Sequence, residues 1–322
     1  MKRVIFPVLG GIGNQLFQLS ALVNLSPSYE RIVDSNLFLD SPNFSKIRVN
    51  ELQIGNILGF KEFRKVHRLS RWFLGLLLRF SAWASAGINR RVIYSILIHI
   101  TQLILARRYG SKVSLLVLSD VGYSQISIPE DSKSLVILGY CQSYKYHSSI
   151  ELLRNYFELN SNINERIGFS PVELAKKDLP LVVHIRRGDY LFNPQLGVLS
   201  QNYYLENIAQ VLMKTQAKSI WVFTNDLEPS LAFIPENYRD KYRVMNFDNV
   251  SDFECFEMMK LGHAFLIANS SFSWWAAYLS KADSKNIYAP EPWFSGLPTP
   301  LDLYPPEWRR LRSDFSSTEV NK

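Results

Sequence analysis

The sequence predicts an α/β protein with two Rossmann-like domains, each built around a parallel sheet. Its length of 322 residues is about twice that of a typical domain. After residue 180, apolar strand-like runs alternate with helix-like runs, as in parallel sheets covered by helices on both faces. The polar, proline-bracketed stretch FSPVELAKKDLP marks a boundary between residues 1–170 and 171–322.

The first half contains fewer clear elements. RVIFPVLGG predicts a strand that ends in glycines, and NQLFQLSALVNL predicts a helix from the spacing of its leucines. RIVDSN predicts a second strand, SLVILGYCQSY a third, and SSIELLRNYFEL the helix that follows it. Residues 60–108 are apolar, basic and helix-like, and one helical stripe comprises Val92, Ile93, Ile96, Leu97, Ile100, Leu103 and Ile104.

The second half alternates regularly. Strands are predicted at LVVHIRR, SIWVFTND, AFLIAN and NIYAPEPW. Helices are predicted between them, at QNYYLENIAQVLMKT, DFECFEMMKLG and SWWAAYLSK. This order of elements predicts one parallel sheet for residues 171–322.

Residues 90–108 leave two interpretations open. Their apolar core is 15 residues long and has an arginine pair at each end, which is too short for the roughly 20 residues of a membrane span. The segment is either a core helix, which we favour, or an interfacial helix that makes peripheral contact with a membrane.

The charge and the cysteines narrow the class of protein. A net charge of +7 fits anionic partners in general, such as nucleotide phosphates, nucleic acid or an acidic membrane surface. Cys141 and Cys255 are too few for a disulfide framework, so we expect a reducing compartment. The N-terminal MKRVIFPVLGGIGNQ lacks the apolar run of a secretory signal. We therefore expect a cytoplasmic protein.

Charged side chains follow the strand LVVHI directly. Ligands of open α/β sheets bind at the carboxyl ends of the strands, and HIRRGDY lies at such an end. On an extended strand His184 and Arg186 share one face, whereas Arg187 lies on the other. Arginine binds diphosphates well because its planar fork donates two hydrogen bonds. Asp189 could orient one guanidinium and Gly188 would permit the turn, although a surface Arg–Asp pair explains the pattern equally well.

The turn GGIGNQ is similar to glycine-rich phosphate loops. It matches neither G-x-G-x-x-G nor the P-loop, but Gly11 and Gly13 would let a backbone approach an anion. Asn14 and Gln15 would then have amide groups free to reach a ligand. The alternative is a simple strand-to-helix turn capped by Asn14.

Two further strand ends complete the candidate site. Ser270, Ser271 and the backbone N–H of Phe272 open a helix and could form an anion nest, or could merely cap that helix. We expect the tryptophans that follow in NSSFSWW to pack in the core. Asp226 in FTND could accept hydrogen bonds from a nucleobase, although a turn-forming aspartate is the commoner explanation. No D-x-D motif is present, so no carboxylate site for a metal–nucleotide complex is indicated.

The motifs GGIGNQLFQ, HIRRGDY, FTND and NSSFSWWAAYL, in this order, resemble glycosyltransferase family 11 in its bacterial α-1,2-fucosyltransferase branch. The resemblance runs from residue 9 to about residue 294. It implies a GT-B fold with two domains facing a central cleft. The N-terminal domain would lie on the acceptor side, and residues 171–322 would bind the nucleotide sugar.

The same resemblance implies an inverting, metal-independent transfer of L-fucose from GDP-β-L-fucose to the 2-hydroxyl of a terminal galactose, as in surface polysaccharide or O-antigen assembly. The acceptor would be a glycan that could be lipid-linked, with no nucleic acid partner and no cofactor. Arg186 would grip the β-phosphate, His184 and Asp226 would lie near the guanine, and Asn14 would face the reacting centre. Around the diphosphate would lie Ser270, Ser271 and Phe272.

One departure from the family pattern concerns Cys255, which stands where we expect an acidic residue in the helix before NSSF. Asp252 and Glu254 lie just upstream and could replace it. The alternative functions are transfer of another nucleotide sugar on the same fold, or a basic, non-enzymatic scaffold that binds membrane or nucleic acid.

Overall fold

The computed structural model describes residues 2–7, 10–25, 29–34, 61–62, 69–70, 72–77, 88–118, 122–146, 153–154, 163–247, 249–300 and 302–316. The chain forms two compact units, Met1–Tyr156 with Pro300–Leu303, and Phe157–Thr299 with Tyr304–Lys322. Each unit contains one parallel sheet. The α/β class and the pair of parallel-sheet domains expected of a GT-B protein are therefore confirmed.

The sheet of the first unit has five strands in the order β3-β2-β1-β5-β4, and all neighbours are parallel. The central strand β1 is buried at Val4, Ile5 and Phe6. A central parallel strand is covered on both faces, so its apolar run is continuous rather than alternating. The strands are β1 (Arg3–Pro7), β2 (Glu30–Asp34), β3 (Lys61–Glu62), β4 (Val113–Val117) and β5 (Ser134–Leu138).

In the part of this unit that the structure describes, the two long helices are α1 (Ile12–Val23) and α2 (Ile88–Tyr109). Residues 69–70 and 72–77 are also helical. The helix predicted from SSIELLRNYFEL lies outside the described residues, except for 153–154, which are helical.

The core interpretation of the stripe on α2 is wrong for most of its members. Leu105 and Tyr109 are buried against the sheet and Leu97 packs beside them, whereas five of the seven stripe residues are exposed. The helix has apolar side chains on both sides, so periodicity alone could not show which side faces the core. The exposed members are Val92, Ile93, Ile96, Ile100 and Leu103.

The sheet of the second unit has six parallel strands in the order β11-β10-β9-β6-β7-β8. The strand β6, which contains LVVHI, lies between β9 and β7 and is buried along its whole length. Its carboxyl end is thus inside the sheet rather than at an edge. The strands are β6 (Pro180–Ile185), β7 (Ser219–Thr224), β8 (Tyr242–Val244), β9 (Ala264–Leu266), β10 (Ile287–Glu291) and β11 (Arg309–Arg312).

Helices cover this second sheet and carry the site-forming turns. Tyr203, Tyr204 and Ile208 pack on Val183 and Ile185 of β6 in one buried cluster. Among the described helices, none combines the length and hydropathy that a membrane crossing requires. The helices of this unit are α3 (Ile163–Ile167), α4 (Pro171–Asp178), α5 (Gln201–Thr215), α6 (Leu227–Ser230), α7 (Asp252–Met259) and α8 (Ser271–Leu279).

Candidate active site

The strand β6 delivers its two arginines into a tight turn. β6 ends at Ile185, and a 3₁₀ helix spans Gly188–Phe192. Gly188 has φ +29°, and a Cβ there would lie 2.2 Å from Nδ2 of Asn225. Only glycine fits this turn, as the sequence indicates. The arginines therefore belong to the loop, not to the strand.

Arg186 is held by two neighbours in this turn. Its Nη2 lies 2.7 Å from Oδ1 of Asp189, and its guanidinium lies 5.4 Å from the ring centroid of Tyr190. Its Nε is buried and has no hydrogen-bond partner in the protein. One edge of the guanidinium is thus fixed by a carboxylate, while another donor is unused. Asp189 orients Arg186, as the sequence suggests.

Arg187 turns to the neighbouring strand. Its Nε donates to Oδ2 of Asp226 at 2.8 Å, and its guanidinium lies 5.5 Å from the ring centroid of Phe233. Its backbone N–H donates to Oδ1 of Asn225 at 3.0 Å. Asn225 was not among the predicted site residues, although its position beside Asp226 in FTND could have indicated it. Each arginine is therefore paired with a carboxylate of its own, Arg186 with Asp189 and Arg187 with Asp226.

His184 lies beneath this turn as a neutral imidazole. Burial, and secondly the charge of Arg186, lower its pKa from 6.5 to about 3. Its ring lies 6.1 Å from that of Phe272, and its Nδ1 is buried without a hydrogen-bond partner. The free ring nitrogen of a neutral histidine can donate or accept one hydrogen bond, depending on the tautomer, and so can pair with a neutral, planar ligand.

The turn before α8 brings a helix N-terminus to the same place. Ser270 is the N-cap residue, but its side chain makes no capping hydrogen bond, and Ser271 begins the helix. The hydroxyl of Tyr190 donates to the carbonyl of Asn269 at 3.2 Å. Burial raises the pKa of Tyr190 to about 12, so this hydroxyl remains protonated. Tyr190, which the sequence analysis missed, thus joins the arginine turn to the serine turn.

The interior side of this turn is rigid. Both amide hydrogen bonds of Asn269 go to the carbonyls of Leu196 and Gly197, each at 3.0 Å, and its Oδ1 is buried without a partner. Trp274 and Trp275 are fully buried, so the expectation that they belong to the core is confirmed. These hydrogen bonds and the buried tryptophans therefore fix the position of the first N–H groups of α8.

These residues of the second unit form one connected group. Arg186, Arg187 and the helix N-terminus supply positive charge or N–H donors, which is what a diphosphate binds. Three buried polar atoms in the group lack partners, the Nδ1 of His184, the Nε of Arg186 and the Oδ1 of Asn269. Buried polar atoms are rarely left unpaired, and a ligand could satisfy them. The predicted residues brought together are His184, Arg186, Arg187, Asp189, Asp226, Ser270, Ser271 and Phe272.

The glycine turn belongs to the first unit and forms a second group. Gly11 is the N-cap of α1, with φ −70°, and Gly13 lies within the helix. The glycine that the turn requires is Gly10, with φ +68° and Asn14 against its α-carbon. The Nε2 of buried Gln15 donates to the Gly10 carbonyl at 2.8 Å, so this amide holds the turn rather than being free.

Asn14 has a partner that the sequence analysis missed. The Nε2 of Gln142 donates to Oδ1 of Asn14 at 2.8 Å, and the Oε1 of Gln142 is buried without a partner. Gln142 lies in GYCQSY, just beyond β5, at the same end of the sheet as the turn after β1. Parallel strand ends meet at one edge, which could have predicted the contact.

The acidic residue expected at Cys255 is not replaced by Glu254. Burial, and secondly the charge of Asp252, raise the pKa of the Cys255 thiol to about 11, so it is neutral at pH 7. Glu254 forms a capping box with Ser251 and an ion pair with Arg166. The buried carboxylate of α7 is instead that of Glu257, whose Oε2 lies 2.9 Å from Nζ of Lys260.

Comparison with known proteins gives consistent matches. The sequence profile of glycosyl transferase family 11 matches residues 109–312. An Escherichia coli O-antigen biosynthesis glycosyltransferase, WbnK, is 27% identical over 89% of this chain and 93% of its own length. An Escherichia coli alpha-1,2-colitosyltransferase is 25% identical over 97% and 99%.

A Caenorhabditis elegans galactoside 2-alpha-L-fucosyltransferase is 27% identical over 60% of this chain and 57% of its own. Among solved structures, POFUT1 in complex with GDP-fucose has a TM-score of 0.46 at 11% identity, covering 89% of this chain and 97% of that one.

Proposed function

The chain belongs to glycosyltransferase family 11, and we propose that it transfers L-fucose from GDP-β-L-fucose to the 2-hydroxyl of a terminal galactose, with inversion. The acceptor is a glycan of a surface polysaccharide such as O-antigen. Relatives named as an O-antigen glycosyltransferase and as a galactoside 2-alpha-L-fucosyltransferase support this proposal.

The position of Arg186 is the observation that carries the proposal. Its guanidinium is fixed by Asp189 and Tyr190 at the carboxyl end of β6, and its buried Nε has no partner in the protein. The guanidinium, whose side chain is 25% exposed, can bind the β-phosphate of a nucleotide sugar, whose other oxygens meet the N–H groups that open α8. A site that binds only a neutral sugar would need no such cation.

The proposed chemistry is electrostatic. Breaking the bond between fucose and phosphate places negative charge on the β-phosphate and positive charge on the sugar ring. Fixed N–H donors aimed at that phosphate stabilise the charge without solvent reorganisation. Arg186 and the start of α8 supply these donors, so a metal ion is not required by the proposal.

The proposal has the guanine base beside His184 and Asp226. The neutral imidazole of His184 has a free Nδ1 for the base. One carboxylate oxygen of Asp226 is held by Arg187, which orients the other for the N–H groups of guanine. The N–H groups of guanine are donors, and an oriented carboxylate is a suitable acceptor. Asn14, held by Gln142, is proposed to face the reacting centre.

Product linkage analysis tests the proposal. The purified full chain is supplied with GDP-fucose, GDP-mannose or a UDP-sugar and with a panel of β-galactosides, with and without a chelator. We expect a 2-linked fucosyl-galactoside from GDP-fucose alone, unaffected by the chelator. An acceptor that lacks the 2-hydroxyl is the matched control and should give no product. Transfer only from a UDP-sugar, or linkage at another hydroxyl, would overturn the proposal.

A second candidate activity is transfer of colitose. The colitosyltransferase relative matches over 97% of this chain, and colitose is the 3-deoxy counterpart of fucose. A colitose donor carried on the same nucleoside diphosphate would be bound by the same proposed residues. Competition between GDP-fucose and GDP-colitose in one reaction decides between them, because the preferred donor will dominate the product.

A further inference from the structure

The helix α2 has a second apolar face that nothing in the described chain covers. Along one side of the helix, the exposed fractions are 55% for Val92, 57% for Ile93, 54% for Ile96, 39% for Ile100 and 58% for Leu103. Their spacing places them on one surface, about 17 Å long at 1.5 Å per residue. We call these five residues the outer stripe. Isolated exposed apolar residues are ordinary, but a contiguous row is typical of an interaction surface.

The other side of α2 is already occupied. Leu105 and Tyr109 are buried in the core of the first unit with Leu74 and Leu77, and the hydroxyl of Tyr94 donates to the Leu77 carbonyl at 3.1 Å. The helix is thus anchored on the sheet through this side. The outer stripe is therefore not needed to hold the helix in place.

Positive charge borders the outer stripe. Arg91 and Arg107 are exposed at its two ends, and α2 contains no aspartate or glutamate. Between Glu62 and Asp120 the sequence has ten Lys or Arg residues and no acidic residue. The rest of the chain has 26 basic and 29 acidic residues. The net positive charge of the protein thus originates in the segment that contains the stripe.

We propose that the outer stripe docks the protein on a membrane surface that contains anionic lipids. The helix lies in the plane of the interface, with Ile96, Ile100 and Leu103 among the upper acyl chains. Arg91 and Arg107 bind lipid phosphates at either end. Apolar burial combined with attraction of arginines to anionic headgroups is the physical basis of such binding.

Charge also argues against a second copy of the chain as the occupant. In a two-fold symmetric pairing of antiparallel α2 helices, the Arg91 end of one helix meets the Arg107 end of the other. No acidic residue on α2 could compensate this repulsion. A lipid phosphate provides the opposite charge directly. Trp72 belongs to the same basic segment of the sequence; 59% of its surface is exposed, and tryptophan is enriched at membrane interfaces.

Vesicle flotation of the full chain tests the proposal. Neutral phosphatidylcholine vesicles are compared with vesicles in which about one third of the lipid is phosphatidylglycerol. We expect binding to the anionic vesicles that weakens as the salt rises from about 0.05 M to about 0.5 M. The double substitution Ile96→Ser with Leu103→Ser should lower the partition coefficient at least about tenfold. Met213→Ser, at a residue 76% exposed on α5, is the matched control and should change nothing.

The charge contribution is tested separately. Arg91→Ser with Arg107→Ser should weaken binding to anionic vesicles, whereas Arg239→Ser, at an exposed ion pair of the second unit, should not. Binding that is equal for neutral and anionic vesicles would overturn the role of charge. No binding to either kind of vesicle would overturn the membrane proposal. A wild-type dimer that Ile96→Ser with Leu103→Ser converts to a monomer would overturn it in favour of self-association.

One measurement does not depend on a folded variant. Hydrogen exchange of the wild-type chain should slow over residues 92–103 when anionic vesicles are added, and exchange in α5 should not change. Unchanged exchange over residues 92–103 would contradict the proposal even if the chain floats. None of these readouts uses sugar transfer, so this proposal and the proposed function can fail independently.

Discussion

Replacing Arg186 tests how much of the reaction depends on one guanidinium. The structure shows two kinds of donor on this side chain, the Nη2 paired with Asp189 at 2.7 Å and the buried, unpaired Nε. If the β-phosphate takes the Nη protons that Asp189 leaves free, Arg186→Ala removes about two charge-assisted hydrogen bonds. Each contributes about 1.5–3 kcal/mol, so the expected loss in kcat/KM for the donor is about 10²–10⁴.

The lysine variant separates charge from geometry. Arg186→Lys retains the positive charge but cannot contact Asp189 and the phosphate with one planar group. We expect it to recover part of the loss and to remain about 10–10² below the wild type. Initial rates of GDP release with saturating galactoside give both values.

The control is Arg239→Ala, which removes a surface ion pair with Glu236 and should keep the rate within about twofold. If folded Arg186→Ala retains kcat/KM within about threefold of the wild type, the interpretation of this arginine as a phosphate ligand is refuted.

Three further predictions concern stability and the first unit. An unfolded histidine takes up a proton near pH 6.5, but folded His184 does so only near pH 3. The contribution of neutral His184 to the unfolding free energy is therefore fully present above pH 6.5, and it is lost progressively as the pH falls towards 3. Between pH 7 and pH 5 the wild type should lose about 2 kcal/mol more unfolding free energy than His184→Gln. Equal losses in urea titrations would contradict this. Gly10→Ala should destabilise the protein by about 1–2 kcal/mol because of its positive φ and the approach to Asn14. Gly75→Ala, which meets nothing within 4 Å, should be neutral or stabilising in the same urea measurement. Gln142→Leu removes the partner of Asn14. In steady-state kinetics it should lower kcat about tenfold with little change in donor KM. An unchanged kcat would contradict the proposed role of this pair.

Much of the second unit was predictable because its signals are local. The strand β6 is a run of apolar residues followed at once by two arginines and a glycine. The apolar run predicts the buried strand, and the glycine predicts the turn that follows it. Trp274 and Trp275 follow a serine turn, so their burial under the helix start also follows from nearby residues. The edge strands β8 and β11 were not predicted, because YRV and RRLR are short and polar.

The pairings between distant residues were not predictable in the same way. Arg187 and Asp226 meet because β6 and β7 are adjacent in the sheet, and strand order is not written in either segment. The contact between Asn14 and Gln142 spans 128 positions for the same reason. On α2, apolar residues surround most of the helix, so its buried side depends on the sheet it packs against rather than on periodicity.

The separate carboxylate partners of the two arginines determine the charge balance of the loop that carries them. Adjacent guanidinium groups would repel each other and loosen their loop, but Asp189 and Asp226 each neutralise one of them. Under the proposed function, a nucleotide diphosphate would share these cations with the two carboxylates, which would moderate its affinity and favour its release after transfer.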